Sequence, residues 1–222
     1  GFDQEGSWQA WHSEAQAMVW TPNWQALMGD TDWDNANAVA TDSQGNIYIA
    51  CQTYDWAEDG GQTIGALVKV SSTGTFQWAK NYEPADWNWY DDGITGVAVD
   101  SNDDVIIAQN NLVTKIDGTG AVIWQKCIGY NEPMGQWNVC VDVDSDDNIY
   151  VAGEYDYMGQ TTGDDYLIMK FDTDGNLLWQ REGGSTASED ASWNNGYQII
   201  TVQGNKFYIA GSSDQGNNSV AL

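Results

Sequence analysis

Leu167-Ile-Met-Lys-Phe-Asp-Thr-Asp-Gly-Asn-Leu-Leu-Trp-Gln-Arg181 decides the fold, because the chain writes this frame three times in full. Ala66-Leu-Val-Lys-Val-Ser-Ser-Thr-Gly-Thr-Phe-Gln-Trp-Ala-Lys80 and Leu112-Val-Thr-Lys-Ile-Asp-Gly-Thr-Gly-Ala-Val-Ile-Trp-Gln-Lys126 keep the same order. Each has a Lys, a Gly five residues later, a Trp four after that, and a base two further on. Recurrence at this interval marks an array or ring of like units. A fourth copy is split between the ends of the chain. Gly6 follows Gly1 by five residues, so Gly1 stands in the Lys position and His12 at the place of Lys80, Lys126 and Arg181. Ser219-Val-Ala-Leu222 matches the first half of the frame.

A second pair of segments precedes each Lys. Ala38-Val-Ala-Thr-Asp-Ser-Gln-Gly-Asn-Ile-Tyr-Ile-Ala50, Gly96-Val-Ala-Val-Asp-Ser-Asn-Asp-Asp-Val-Ile-Ile-Ala108, Val139 to Ala152 and Gln198 to Ala210 are short β-branched runs joined by Asp/Ser/Gly/Asn turns. That pattern predicts β-hairpins, and no segment carries a sustained helical period. Each unit therefore has four antiparallel strands, a to d. Four-stranded units in tandem predict an all-β fold, a β-propeller of four blades. Pairing the C-terminal strand c with the N-terminal strand d closes the ring and removes two exposed sheet edges. The expected divisions of a single domain, 1–222, are a fourth blade split between 1–12 and 196–222, an insertion at 13–36, and blades at 37–82, 94–128 and 138–183.

One domain is the expectation for 222 residues. The net charge is −26, from 33 acids against seven Lys plus Arg. Six of those seven bases are Lys69, Lys80, Lys115, Lys126, Lys170 and Arg181, all inside the frame, and only Lys206 is not. No basic patch remains for phosphate, which argues against nucleic acid and anionic membranes. No apolar run reaches membrane-spanning length. The chain opens on Gly without a charged leader before an apolar run, as expected of a processed or excised chain. The acidity suits a saline or extracellular setting. Cys51, Cys127 and Cys140 make an odd set, read as small buried thiols; one His and no paired Cys spacing argue against zinc.

The pattern from Asp144 to Gly153, followed by Lys170 to Trp179, resembles the bacterial β-propeller repeat usually found in seven-bladed proteins. Similar repeats occur in secreted bacterial proteins and in structural proteins of marine phages. The resemblance covers the chain apart from roughly residues 13–36. It departs from the family in having four repeats where seven are usual. It implies a binding scaffold with no shared catalytic residues. A shorter stretch, Asp117-Gly-Thr-Gly-Ala-Val-Ile-Trp124, is similar to quinoprotein-type repeats.

Strands alternate in direction, so the a–b and c–d turns share one end of the ring and the b–c and d–a loops share the other. The turns are short: Asp42-Ser-Gln-Gly-Asn46 and Ser71-Ser-Thr-Gly74 are typical. The loops are long and hold Trp20, Trp24, Trp33, Trp56, Trp87, Trp89, Trp137 and Trp193 of the 13 tryptophans. The others, Trp8, Trp11, Trp78, Trp124 and Trp179, lie in or beside strand d and are expected as core, each burying about 150–250 Å². Trp33, Trp89, Trp137 and Trp193 each precede a strand a and should cluster around the axis. Tyr54-Asp55-Trp56 of blade 1 and Tyr155-Asp156-Tyr157 of blade 3 face each other across a blade 2 with almost no b–c loop. Those ten residues are the candidate binding site, since Tyr and Trp beside Asp suit both sugars and protein anchors.

The Asp-rich turns, Asp142 to Asp147 and Asp172 to Asn176, lack the Gly and Glu of an EF-hand and are read as turns that bond their own backbone. No cofactor is called for. The acids Asp30, Asp32, Asp34, Asp91, Asp92, Glu189 and Asp190 on the aromatic end admit a divalent cation such as calcium without identifying a site. His12 fills a repeat position, and no nucleophile, metalloprotease or phosphate-loop motif is present. The expected function is non-enzymatic recognition of a glycan or protein receptor at the loop end, as in a phage or surface adhesion component located outside the cell or on a virion. A structural assembly or virion decoration unit is the alternative, and a glycosidase with two carboxylates about 5–10 Å apart is the weaker one.

Overall fold

The computed structural model describes residues 34–55, 62–82, 93–109, 112–128, 139–155, 165–183, 198–203, 206–212 and 219–221. They contain only strands and turns. Blade 1 is β1 (Asp34–Thr41), β2 (Ile47–Asp55), β3 (Gln62–Val70) and β4 (Phe76–Asn81). Blade 2 is β5 (Gly96–Val99), β6 (Val105–Gln109), β7 (Leu112–Ile116) and β8 (Val122–Cys127). Blade 3 is β9 (Cys140–Val143), β10 (Ile149–Tyr155), β11 (Asp165–Phe171) and β12 (Leu177–Gly183). A fourth sheet holds β13 (Gln198–Gln203), β14 (Lys206–Ser212) and β15 (Ser219–Ala221). Each sheet is antiparallel and ordered as the chain runs.

Strand a is the inner strand of every blade: β5 packs against β1 and β9, and β9 against β13. Gly96 marks how close these strands come, since a Cβ there would stand 2.9 Å from Val139 O and 3.0 Å from Val141 N. The middle strands of blade 2 are covered on both faces by blades 1 and 3, so they read as unbroken apolar runs. All of Val105–Gln109 and Leu112–Ile116 is buried. One core cluster joins Tyr48, Ala50 and Leu67 of blade 1 to Val97, Val105, Ile107 and Ile116 of blade 2. A second joins Ala98, Ile106, Ala108 and Val113 of blade 2 to Val139, Val141, Ile149, Leu167 and Phe171 of blade 3.

The outer strands are mostly exposed. Their tryptophans Trp78, Trp124 and Trp179 are half-buried between blades rather than central to the core, which corrects the expectation for these three. Trp8 and Trp11 lie outside the described residues. A register shift after Lys69, Lys115 and Lys170 puts one extra residue into each outer strand, Gln77, Ile123 or Leu178. Lys80, Lys126 and Arg181 on these edge strands discourage pairing with foreign strands. The thiols also differ from expectation: Cys127 is exposed and Cys51 and Cys140 are half-buried, because Cys127 ends an outer strand. The described strands give three complete blades and three strands of a fourth. No closed ring is seen among them, and the strand expected to pair with β15 lies outside the described residues.

Candidate functional site

At the turn end, the same polar unit is built into each complete blade. The residue after strand a is a buried Asp whose Oδ1 accepts the backbone N–H groups two and four residues on. Asp42 takes Gln44 at 3.0 Å and Asn46 at 2.8 Å; Asp100 takes Asn102 at 2.9 Å and Asp104 at 3.0 Å; Asp144 takes Asp146 at 3.0 Å and Asn148 at 2.9 Å. The second oxygen meets the Lys of the repeat: Lys69 at 3.8 Å, Lys115 at 2.7 Å and Lys170 at 3.1 Å. Lys69 and Lys170 also lie over the Tyr48 and Tyr150 rings, 4.8 and 4.7 Å from the centroids. The frame Lys is therefore the partner of an Asp one hairpin earlier, a pairing the sequence reading missed.

Burial works against the charge on Lys115, but hydrogen bonds and charge from Asp100 and Asp104 outweigh it and hold the ammonium above its ordinary value. Burial likewise opposes ionisation of Asp144, yet the Asn148 side chain and backbone and Lys170 keep it below the ordinary carboxylate value. Lys170 is raised against its burial by Tyr150 and Asp144. Lys115 and Lys170 are thus fixed cations, unsuited to act as bases or nucleophiles. Burial first, then Asp42, raises the Tyr48 phenol, and burial with the charge of Asp117 pushes Tyr82 up to about 12.

A second set of bonds crosses between blades. Ser43 donates its backbone N–H and hydroxyl to the two oxygens of Asp103, both at 2.7 Å. Ser101 does the same to Asp147, at 2.9 and 2.6 Å. Asp103 and Asp147 sit at φ +63° and +61°, where blade 1 has Gly45; the strained backbone is compensated by two charge-assisted bonds. Lys69 reaches Gly118 O at 2.9 Å, Lys80 reaches Thr119 O and Gly120 O, Lys115 reaches Thr173 Oγ1, and Trp124 Nε1 donates to Thr173 O. Asp142 Oδ2 accepts Val202 N–H at 2.8 Å, tying β9 to β13. The Asp-rich turns bond their own backbone, as the sequence reading expected, and also bond neighbouring blades, which it did not. Among the described residues no group of three or more His, Cys, Asp or Glu is placed to hold a metal ion.

The loop end is where blades differ. β2 runs five residues past Ala50, to Asp55, and β10 runs three past Ala152, to Tyr155. β6 runs one past Ala108, to the buried Gln109. Tyr54 and Asp55 pair in register with Thr63 and Gln62, and Tyr155 with Asp165. The hairpins of blades 1 and 3 thus extend as ribbons beyond the short hairpin of blade 2 between them. Of the predicted site, Tyr54, Asp55 and Tyr155 fall on these ribbon ends. Trp33, Trp56, Trp89, Trp137, Asp156, Tyr157 and Trp193 lie outside the described residues, as do His12 and residues 13–33 of the expected insertion.

No protein-family model matches the chain, and no curated protein matches it. Among solved structures it is similar to a luciferin-regenerating enzyme (16% identity, TM-score 0.47, 83% of this chain). It is also similar to a gluconolactonase from Xanthomonas campestris (15%, 0.47, 84%) and to a calcium-binding regucalcin from Agrobacterium tumefaciens (11%, 0.45, 83%). The chain spans 55 to 58% of the length of these three proteins. Two of them are enzymes by description, which overturns the expectation that the chain is a non-enzymatic scaffold. At such identities the likeness concerns the fold and assigns no activity.

Proposed function

We propose that the chain is a recognition module whose loop end, rich in Trp, Tyr and Asp, binds a glycan or a protein receptor. The observation that carries this reading is the contrast between the two ends. The turn end repeats one closed set of bonds in every complete blade and leaves its buried Asp and Lys engaged. The loop end varies, with ribbons on blades 1 and 3 standing beyond blade 2 and carrying Tyr54, Asp55 and Tyr155 at their tips. An extended ligand lying over blade 2 meets a wall on either side, and the loop tryptophans supply stacking surface. The proposal places the module outside the cell or on a virion, as an adhesion component.

A ring of four blades belongs to the same proposal. Its support is internal: where the frame Lys is replaced by Gly1, the turn Asp is replaced by Gln203. An Asp buried there without its cation would cost several kcal/mol, so the joint loss fits Gly1 and Gln203 sharing one blade.

The test is a glycan-array screen of the wild type and of a Trp33/Trp89/Trp137/Trp193 alanine set, with and without EDTA to read any dependence on a divalent cation. Binding that the alanine set abolishes is the expected result. No glycan bound, together with a stable oligomer by size analysis, replaces this reading with an assembly or virion decoration role.

A further inference from the structure

The two outer faces of the described array are exposed at positions that every interior junction buries. Val39 on β1 is 66% exposed, whereas Val97 and Val141, in the same register on β5 and β9, are each 8% exposed. Ile47 is half-buried where Val105 and Ile149 are buried. Tyr208 on β14 is 41% exposed, whereas Tyr48 and Tyr150 are 0% and 3% exposed.

These residues are the two halves of one repeated contact. At each interior junction a strand-b side chain of one blade, Tyr48, Ile106 or Tyr150, packs with the strand-b residue one frame position earlier in the next, Val105, Ile149 or Phe207. Tyr150 meets Phe207 with ring centroids 5.9 Å apart, and Tyr48 shares a core cluster with Val105 and Val97. Blade 4 presents the tyrosine half, and blade 1 the aliphatic half.

We infer that the Tyr208 face of blade 4 docks on the Val39/Ile47 face of blade 1 within one chain, forming a seam held by apolar contact without the polar locks of the other junctions. The inference rests on the four-bladed reading above. The missing locks can be read position by position. Blade 1 has Gly45 where Asp103 and Asp147 reach back to the preceding blade, so it offers no carboxylate. The blade 4 turn, Gln203-Gly-Asn-Lys206, has no Ser to donate. The Lys that grips the next blade's turn from strand c, as Lys69 grips Gly118, is Gly1 in blade 4. The ring therefore opens first at this junction.

Val39→Asp and Tyr208→Asp, singly and combined, test the seam by thermal unfolding and native mass, beside a chain lacking residues 1–12. Each single variant is expected to lower the midpoint by about 4–8 °C. The double variant falls no further than the worse single one, since both break one contact, and the mass stays monomeric. Val39→Thr, which keeps shape and branching, shifts the midpoint the same way by less. Neutral point variants alongside a destabilised truncation leave the ring standing and overturn the seam. Neutral point variants alongside a neutral truncation overturn both. An oligomer that the point variants dissociate shows the faces docking between copies and overturns the intrachain contact.

Discussion

Asp104 is the residue at which blade 2 departs from its neighbours, and replacing it with Asn should make the protein more stable at neutral pH. In blades 1 and 3 this position is Asn46 or Asn148, whose amide donates to the second oxygen of the turn Asp at 2.8 and 2.9 Å. An ionised Asp104 has no proton to give. Asp100 Oδ2 is buried with no hydrogen bond of good geometry, and Lys115 stands 2.7 Å away as its ion partner. Burial first, then the charges of Asp100 and Asp117, raise the pKa of Asp104 against the pull of Lys115. A carboxyl whose folded pKa is raised binds its proton more tightly in the native state. Stability therefore falls as pH rises through the folded value, and the penalty is fully present at neutrality. Asp104→Asn removes that penalty and returns the amide donor. A hydrogen bond to a charged acceptor contributes about 1.5–3 kcal/mol. Asp104 meets the buried Lys115 at 3.4 Å, but Lys115 keeps Asp100 at 2.7 Å, so losing the longer contact costs only about 0–1 kcal/mol. The net gain is about 1 kcal/mol, or about 2–4 °C in midpoint for a chain of this size. Melts followed by circular dichroism from pH 7 down to about pH 4 read it, because the gain shrinks as Asp104 takes up its proton, which it does above the ordinary carboxylate value. A loss of stability at pH 7, or a gain that does not change with pH, refutes the reasoning.

Other substitutions follow from the same geometry. Asp144→Asn carries the opposite sign: this carboxylate is held below its ordinary value, so its contribution is present at neutrality and lost as pH falls. The substitution leaves Lys170 unpaired and lowers the midpoint at pH 7, by an amount that narrows on acidification. Gly96→Ala puts a methyl against the backbone of β9, 2.9 Å from Val139 O, where no flexible side chain can give way. It costs about 1–3 kcal/mol by overpacking, read as an earlier denaturant midpoint with unchanged slope. Ser101→Ala removes one of two bonds to Asp147 and leaves that residue in its left-handed conformation with less compensation. Its cost is about 1–2 kcal/mol, and adding Asp147→Gly recovers part of it, as blade 1 manages with Gly45.

The strand order, the turns and the inner position of strand a were legible because each depends on local chemistry that the repeat writes several times. Gly74, Gly120 and Gly175 stand at φ +83°, +79° and +77°, where glycine is the least costly residue, and their spacing from Lys and Trp set the c–d hairpin before any coordinates. The Asp–Lys pairs were not read, although both residues recur in every complete blade. They lie 15 to 27 residues apart in the chain because the ribbon between them changes length, and a fixed-spacing search passes over a contact with variable spacing. The Ser–Asp bridges were hidden for another reason: in sequence Ser43 and Asp103 look like ordinary turn residues, and only the side-by-side packing of blades brings one turn to the next. The strand-d tryptophans were read as core because aromatic recurrence signals burial. On an outermost strand, however, only one face can be covered, so half-burial is the limit. Of the predicted binding residues, Tyr54, Asp55 and Tyr155 are placed on the ribbons, and the unequal ribbon lengths expected from the loop counts are observed.

The division of labour between the two ends follows from how the charges are spent. A chain of net charge −26 has few cations to distribute, and six of its seven bases fall in strands c and d. There they satisfy buried carboxylates, grip the next blade's turn or guard an outer edge. At the turn end Asp42, Asp100 and Asp144 are paired with Lys, and Asp103, Asp117, Asp147 and Asp172 accept backbone N–H groups. The remaining acids fall in the loops and on the surface, and in sequence the loops combine Trp and Tyr with Asp and Glu and hold none of the seven bases. Neutral polyhydroxylated ligands and basic protein surfaces tolerate such a field, whereas phosphates and acidic polymers are repelled by it. Neutral and cationic ligands should therefore be retained in the glycan screen, and sialylated or sulfated ones should be missed at low salt and weakly recovered as salt screens the field. Preferential capture of sulfated glycans at low ionic strength is the result that breaks this chain of argument.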